Sequence, residues 1–442
     1  MPGVVIVGAG QAGIEAACVL REAGYARSVT VLGEERGTPY QRPPLSKDLS
    51  AGGELPLLPL RAPRALAELG VTVIEGARAT RLLRGERLVE YTAADGRPHR
   101  LEYEHLILAT GGTARGTGPG GGQRPGEDAA GVHRLRTRED AQALASALRT
   151  ARSVAVIGGG VIGLEFASIS AAARVPTTVL ERGQRILRRF VGGESAAWLH
   201  GRHEDRGVRI LRQATVEGFE RTEDGPVAAV LLAGGGRLEA DLVLVGTGVT
   251  PAVSLAADAG LECAGGITVD ARLRTADPRI SAIGDCASFV SPHAPAPLRL
   301  ESVQNATDQA RFVGRALAAE LAAPADLAGR ADAAEPGGAP APAQQNYVDL
   351  PWFWSVQAGV KVQVAGLATD AGASVVIGDP SAGKFSVLRF AGERLVCVES
   401  IGRPADHLAA RRLLAAGDGP TLAEARAGRI ESLKSWNAVV PV

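Results

Sequence analysis

The chain has 442 residues, enough for about two to four ordinary domains and a large buried core. Apolar residues make up 45% and charged residues 22%, which excludes a chain disordered throughout. Lys and Arg total 48 and Asp and Glu total 48, so there is no surplus positive charge for a globally basic nucleic-acid binder, and no nucleic-acid partner is expected.

The first predicted element is a strand over Val4-Val5-Ile6-Val7, a β-branched run of the kind buried in parallel sheets. It leads into Gly8-Ala9-Gly10-Gln11-Ala12-Gly13, a G-x-G-x-x-G turn. An alanine-rich helix is expected from Ile14 to Ala23, ended by Gly24. A second strand is expected from Ser28 to Leu32, running into Gly33-Glu34-Glu35. In such a unit Gly8 makes the tight turn, Gly10 lets the backbone approach a pyrophosphate, and Gly13 lets helix pack on strand. The helix N-terminus then faces the phosphate charge. Glu34, 21 residues after Gly13, stands where an acid accepts a hydrogen bond from a ribose hydroxyl.

The pattern returns. Val154-Ala155-Val156-Ile157 predicts a strand, Gly158-Gly159-Gly160-Val161-Ile162-Gly163 the turn, and a helix follows through Ala173. The next strand, Thr177 to Leu180, ends at Glu181, 18 residues after Gly163. One such turn is weak evidence, but two in register with strand, helix, strand and acid predict two dinucleotide sites. Two nucleotides in one chain point to a flavoprotein with a pyridine-nucleotide donor, a hydride crossing between the two rings. Glu181 favours NADH over NADPH by repelling a 2′-phosphate, with Arg182 and Arg185 near enough to offset part of that preference.

Other features set the compartment and exclude metal. Cys18, Cys263, Cys286 and Cys397 form no CxxC or CxxxxC pair and no zinc spacing with His, so neither a metal site nor a disulfide framework is expected. Cys286 reads as structural. This predicts a reducing, cytoplasmic setting. No signal peptide is expected, because no basic region precedes Val4–Val7. The one span-like stretch, Ser153 to Ala173, is interrupted by four glycines and Glu165, so no membrane partner is expected. Gly116 to Gly122 and Ala322 to Gln345 read as loop and linker. No sequence feature sets the oligomeric state.

Further blocks carry a resemblance. Ala109-Thr110-Gly111 and Ala282-Ile283-Gly284-Asp285, with the double fold, resemble the glutathione-reductase-like superfamily of two-dinucleotide-fold flavoproteins. Pro39-Tyr40-Gln41-Arg42-Pro43-Pro44-Leu45-Ser46-Lys47, Arg299-Leu300-Glu301-Ser302-Val303-Gln304-Asn305-Ala306 and Pro351-Trp352-Phe353-Trp354-Ser355 narrow it. They are similar to the ferredoxin reductases of bacterial oxygenase systems, of the putidaredoxin reductase type. The resemblance runs from Val4 to about Arg412. It implies an α/β protein with two Rossmann-like dinucleotide-binding domains and a C-terminal α+β domain. The implied FAD domain is split over 1–112 and 247–320, with the NAD domain at 113–246, a linker at 321–345 and the C-terminal domain at 346–442.

The resemblance also implies roles. Ala12 and Glu34 would hold FAD phosphates and ribose, Ala79 the adenine through its backbone, Arg136 the cofactor, Asp285 the ribityl chain and Val303 the ring through its backbone. Arg42, Ala109, Thr110, Gly111 and Gly248 join this cofactor-binding set, with Gly158, Gly160, Ile162, Gly163 and Glu181 of the second fold. Lys47 would lie near the reactive side of the isoalloxazine, paired with Glu165 as the catalytic couple, although an acid in a first helical turn is also favoured by the dipole. Only Lys47, Lys361, Lys384 and Lys434 are lysines, against 44 arginines, so a lysine retained in this motif points to a site that tolerates Arg poorly. Trp352 and Trp354, spaced to share a strand face, read as a flavin-edge wall or as core. Arg311 falls near the family's ferredoxin-docking face or is a solvated surface residue.

The implied activity is hydride transfer from NADH to FAD, then single electrons to a two-iron ferredoxin serving a cytochrome P450 or ring-hydroxylating oxygenase. The family continues after Trp-Phe-Trp-Ser with Asp-Gln-Tyr, whereas this chain reads Val356-Gln357-Ala358-Gly359. That departure keeps open an NADH oxidase or flavin reductase, and a redox-dependent binding protein of apoptosis-inducing-factor type. A disulfide reductase is disfavoured, because no thiol pair exists to relay electrons.

Overall fold

Short β-branched runs that end in glycine form the centres of two parallel sheets, where a strand is buried on both faces. The computed structural model describes residues 2–49, 57–223, 225–322, 345–368, 371–428 and 430–436. The expected linker over 321–345 lies outside these residues except at its ends. The chain divides into two compact units. One comprises Met1–Gln41, Leu57–Gly112 and Pro251–Asp349, the other Arg42–Pro56, Thr113–Thr250 and Leu350–Val442.

In the first unit, Gly3–Val7 is buried at every position and lies between Val29–Gly33 and Pro98–Leu108, parallel to both. Val71–Glu75 and Ile280–Ala282 extend the parallel sheet on its two sides. Leu88–Thr92 and Arg78–Leu83 join antiparallel through the first half of Pro98–Leu108. The helix expected from Ile14 spans Gln11–Glu22 instead, because Gly10 (φ −80, ψ −169) is itself the N-cap and the last half of the glycine turn is helical. The helix Val303–Ala322 packs against it. Gly314 permits the approach, since a Cβ there would stand 2.8 Å from Val19 Cγ1.

In the second unit, Val208–Arg212, Thr177–Glu181, Val154–Ile157, Leu242–Val245 and Val132–His133 form a parallel sheet in that order. A three-stranded antiparallel sheet follows over Val216–Arg221, Val227–Leu232 and Gly236–Glu239. The C-terminal sheet is antiparallel and five-stranded, ordered Trp352–Gln357, Val360–Gly366, Arg394–Ile401, Lys384–Ala391 and Ala373–Asp379. The helix Pro404–Ala416 covers it, and Leu388, Phe390, Val398, Leu413 and Leu414 form their shared core.

Ala358-Gly359 is a two-residue hairpin turn with both φ positive (46° and 75°), and it sets Gln357 opposite Val360. The departure from the family pattern is therefore the end of a strand and its turn. The span-like stretch resolves into a strand, the turn and the 12-residue helix Val161–Ala172. Among the described residues no helix is long and apolar enough to cross a membrane.

Candidate functional site

The first glycine turn is built for close approach. Gly8 has φ +115°, and a Cβ on it would stand 2.2 Å from the carbonyl oxygen of Ala109. A Cβ on Gly13 would stand 1.9 Å from the Gly8 oxygen, so helix and strand meet backbone to backbone. A Cβ on Gly10 would meet nothing within 4 Å, so the turn faces open space in front of the helix N-terminus. The first helical N–H groups have no partner within the helix and point into that space. This arrangement fits a dinucleotide pyrophosphate.

Neighbouring segments converge on the same turn. A Cβ on Gly284 (φ +74°) would lie 3.1 Å from Ala12 Cβ and 3.8 Å from Ala306 Cβ. Half-buried Asp285 is thereby placed beside the helix start, and Arg299 Nη1 donates to its carbonyl at 3.1 Å. Val303 opens the helix that carries Ala306. Thr110 Oγ1 donates to Ala252 O at 2.6 Å, and Gly111 has φ +65°. Glu34 is largely exposed, 3.5 Å from Arg78, and Ala79 lies half-buried on the same strand as Arg78. Cys286 Sγ is buried against the carbonyls of Ile283 and Leu108, and burial pushes its thiol up, which fits a structural role.

The second turn repeats the first. Gly158 has φ +109°, and a Cβ on Gly163 would stand 2.3 Å from the Gly158 oxygen. A Cβ on Gly160 would meet only the Gly246 oxygen, at 4.0 Å, and Ile162 on the first helical turn is 37% exposed. Glu181 reaches back to this turn, accepting from Gly159 N at 2.8 Å and Gly183 N at 2.6 Å. Arg185 donates to Val191 O, and Arg182 is exposed. Gly248 (φ +111°) accepts from Arg115 N at 2.9 Å.

Lys47 and Glu165 meet in the second unit. Lys47 Nζ lies 2.5 Å from Glu165 Oε1, with the two side chains 20% and 3% exposed. Ser46 Oγ donates to Oε2 at 2.6 Å and Ser355 Oγ to Oε1 at 2.6 Å. Three donors thus hold a carboxylate that burial would otherwise make costly. Glu165 is the fifth residue of Val161–Ala172, beyond the first turn, so the dipole explanation for an acid there does not apply. Two of the four lysines lie against the Trp354 ring, Lys47 Nζ at 5.0 Å and Lys361 Nζ at 5.6 Å from its centre. Trp352 packs on His407 and under Arg411 instead, which is a core role. Arg42 donates to Arg136 O, bringing those two expected residues together.

Sequence reasoning missed Ser46, Ser355 and Lys361. It did not single out Glu15 either, which stands two residues after Gly13 as Glu165 does after Gly163.

Twin glycine turns on parallel sheets, with an enclosed ammonium–carboxylate pair against a tryptophan, define a two-dinucleotide-fold oxidoreductase. The chain belongs to the pyridine nucleotide-disulphide oxidoreductase family, which it matches over residues 2–310, and residues 352–435 match the reductase C-terminal family. Rhodocoxin reductase of Rhodococcus erythropolis is 40% identical over 413 residues, 93% of this chain and 89% of that protein. The crystal structure of the ferredoxin reductase for the CYP199A2 system from Rhodopseudomonas palustris is similar at TM-score 0.87 and 34% identity, over 98% of this chain and 99% of that one. The covalent putidaredoxin reductase–putidaredoxin complex is similar at TM-score 0.82 and 33% identity, over 94% and 93%.

Proposed function

We propose that the protein is an NADH-dependent FAD flavoprotein that reduces a two-iron ferredoxin, which in turn serves a cytochrome P450 or ring-hydroxylating oxygenase. The observation that carries this reading is likeness to ferredoxin reductases over nearly the whole of both chains, including the C-terminal sheet that supplies Trp354 and Ser355.

The chemistry supplied by bound flavin is hydride acceptance from NADH and release of electrons one at a time. This chain's residues bind and orient. We assign residues 1–112 and 247–320 to the FAD domain, 113–246 to the NAD domain and 346–442 to the C-terminal domain. Gly8, Gly10, Ala12 and Gly13 would hold the FAD phosphates and Glu34 the ribose. Ala79, Ala109, Thr110, Gly111, Arg42, Arg136, Asp285 and Val303 would complete that site. Gly158, Gly160, Ile162 and Gly163 would cradle NADH, with Gly248 in the cofactor-binding set. Glu181, fixed by two backbone N–H groups at the mouth of the turn, would select NADH over NADPH. Lys47 would present a positive charge beside the flavin, with Glu165 holding its position and Trp354 walling its side. Four unpaired cysteines suit a reducing compartment, and we place the protein in the cytoplasm.

The test is anaerobic mixing of holoenzyme with NADH, followed by oxidised two-iron ferredoxin or by air. Fast bleaching and fast reoxidation by ferredoxin are expected. Reoxidation by oxygen alone would make the protein an oxidase. Slow bleaching with no fast acceptor would replace the enzyme reading with that of a redox-dependent binding protein.

A further inference from the structure

Behind Glu165 the hydrogen bonds continue inward. Gln357 Nε2 lies 2.8 Å from Ser355 Oγ and 3.3 Å from the carbonyl oxygen of Val161. Gln357 Oε1 lies 3.2 Å from His203 Nε2, and His203 Nδ1 is 3.4 Å from Ser168 Oγ. Ser355, Gln357 and His203 are 1%, 0% and 0% exposed. The Ala358-Gly359 turn sets the register that carries Gln357 into this interior.

One group fixes the direction of the chain. The Val161 carbonyl only accepts, so the Gln357 nitrogen faces it and the amide oxygen faces the imidazole. His203 Nε2 must then carry its hydrogen and donate to Gln357, and Ser168, whose Oγ also lies 2.9 Å from the Leu164 carbonyl oxygen, turns its single hydrogen to Nδ1. Gln357 donates to Ser355, and Ser355 has its own hydrogen left for Glu165 Oε1. From His203 through Gln357 to Ser355, one donor after another points toward the carboxylate that holds Lys47. Burial lowers the His203 pKa to about 4, so the imidazole is neutral near pH 7 and adds no competing charge. Bonds aligned head to tail polarise one another.

We propose that Ser355, Gln357 and His203 form a positioning chain that orients Glu165 and, through it, the Lys47 ammonium for flavin reduction. The inference rests on the function proposed above. The chain orients and does not conduct, because an amide keeps both its protons and interrupts a proton relay. It draws on two segments of the second unit, the helix Gly193–Glu204 and the strand Trp352–Gln357, and acts on a third, the helix Val161–Ala172 that carries Glu165.

The test uses FAD-loaded His203→Leu, His203→Gln and Ser355→Ala proteins. The glutamine amide nitrogen reaches roughly where Nε2 stands and restores the donor. In a single anaerobic turnover, reduction by NADH is expected to slow about tenfold in His203→Leu and in Ser355→Ala. In His203→Gln it should return to within about twofold of the unsubstituted rate, with flavin content and NADH dissociation constant unchanged in all three. An unslowed His203→Leu, or a His203→Gln as slow as His203→Leu, would overturn the chain.

A second readout needs no turnover. Spectra of nitrogen-labelled histidine in the unsubstituted holoenzyme should show His203 as the Nε2–H tautomer. Its N–H resonance should move in Ser355→Ala, two hydrogen bonds away. An Nδ1–H tautomer or an unmoved resonance would overturn the chain. If NADH failed to reduce even the unsubstituted protein, the functional reading would fall while these spectra still decided the chain.

Discussion

The two dinucleotide folds place a buried glutamate at the same helical position and give it different partners. Glu15 and Glu165 each stand two residues after the third glycine of the turn. Glu15 is met by guanidinium groups, Arg311 Nε at 2.7 Å and Arg61 Nη2 at 3.6 Å, and Arg311 is half exposed. Glu165 is met by one ammonium and two hydroxyls, and Lys47 is only 20% exposed. In the first fold the pair ties Gln11–Glu22 to the helix Val303–Ala322 near solvent. In the second it holds a compact charge in an enclosed place, where a planar fork does not take the place of a single ammonium on one carboxylate oxygen. The position on the helix is shared, and the partner differs: a half-exposed guanidinium in one fold, an enclosed ammonium in the other.

The largest effect should come from the feature the folds share. Gly13→Ala and Gly163→Ala each drive a Cβ into a carbonyl, at 1.9 Å and 2.3 Å. Gly13→Ala should yield protein without visible flavin absorbance. Gly163→Ala should yield flavin-loaded protein whose KM for NADH rises on the order of 100-fold, about 2.7 kcal/mol, near the upper end of what an overpacking clash costs. Equal loss of flavin in both would break the assignment of one fold to each nucleotide.

The next effect sharpens the contrast between the two ion pairs. Lys47→Met should slow reduction by NADH about 100-fold, near 2.7 kcal/mol, with flavin retained. Lys47→Arg should rescue little of that rate, because a guanidinium does not reproduce the ammonium's three-way donor geometry. A Lys47→Arg protein of full activity, measured by the same single turnover, would remove the distinction drawn between the pairs.

The acids at the ends of the second strands differ too. Glu181 is fixed to Gly159 and Gly183, whereas Glu34 is largely exposed beside Arg78. Glu181→Ala should lower the ratio of kcat/KM for NADH over NADPH by about tenfold, close to 1.4 kcal/mol. The same substitution at Glu34 should leave that ratio unchanged.

Much of this contrast is legible in the sequence where the constraint is local. Gly8 and Gly158 need φ above +100°, and Gly13 and Gly163 have no room for a Cβ, so the turns announce themselves within ten residues. The helix start is misread by three residues, Ile14 for Gln11, because capping by Gly10 leaves no side-chain signal. The Lys47–Glu165 contact is legible through the resemblance. The chain behind it is not, because Ser355 reaches Glu165 across 190 residues and His203 reaches Gln357 across 154. Ser, Gln and His in those places carry no spacing that marks them. Trp352 and Trp354 share a strand face, as their spacing predicts, but only tertiary packing separates the one on His407 from the one beside Lys47 and Lys361.

The smallest effect tests the scaffold half of the comparison. Arg311 Nε donates to Glu15, and its own half-exposure leaves the pair screened by water. Arg311→Met keeps the aliphatic stem and removes the charge, while Arg61 stays within 3.6 Å of Glu15. The loss of stability should therefore stay below about 1 kcal/mol in denaturant unfolding, with reduction by NADH unchanged. Ferredoxin kinetics then discriminate between two roles for one guanidinium. A KM for two-iron ferredoxin raised several-fold, with stability intact, would mean that Arg311 meets the acidic partner the resemblance implies. An unchanged KM would leave Glu15 as its partner, and the first fold's glutamate would be scaffold where the second fold's is the one we assign to the site.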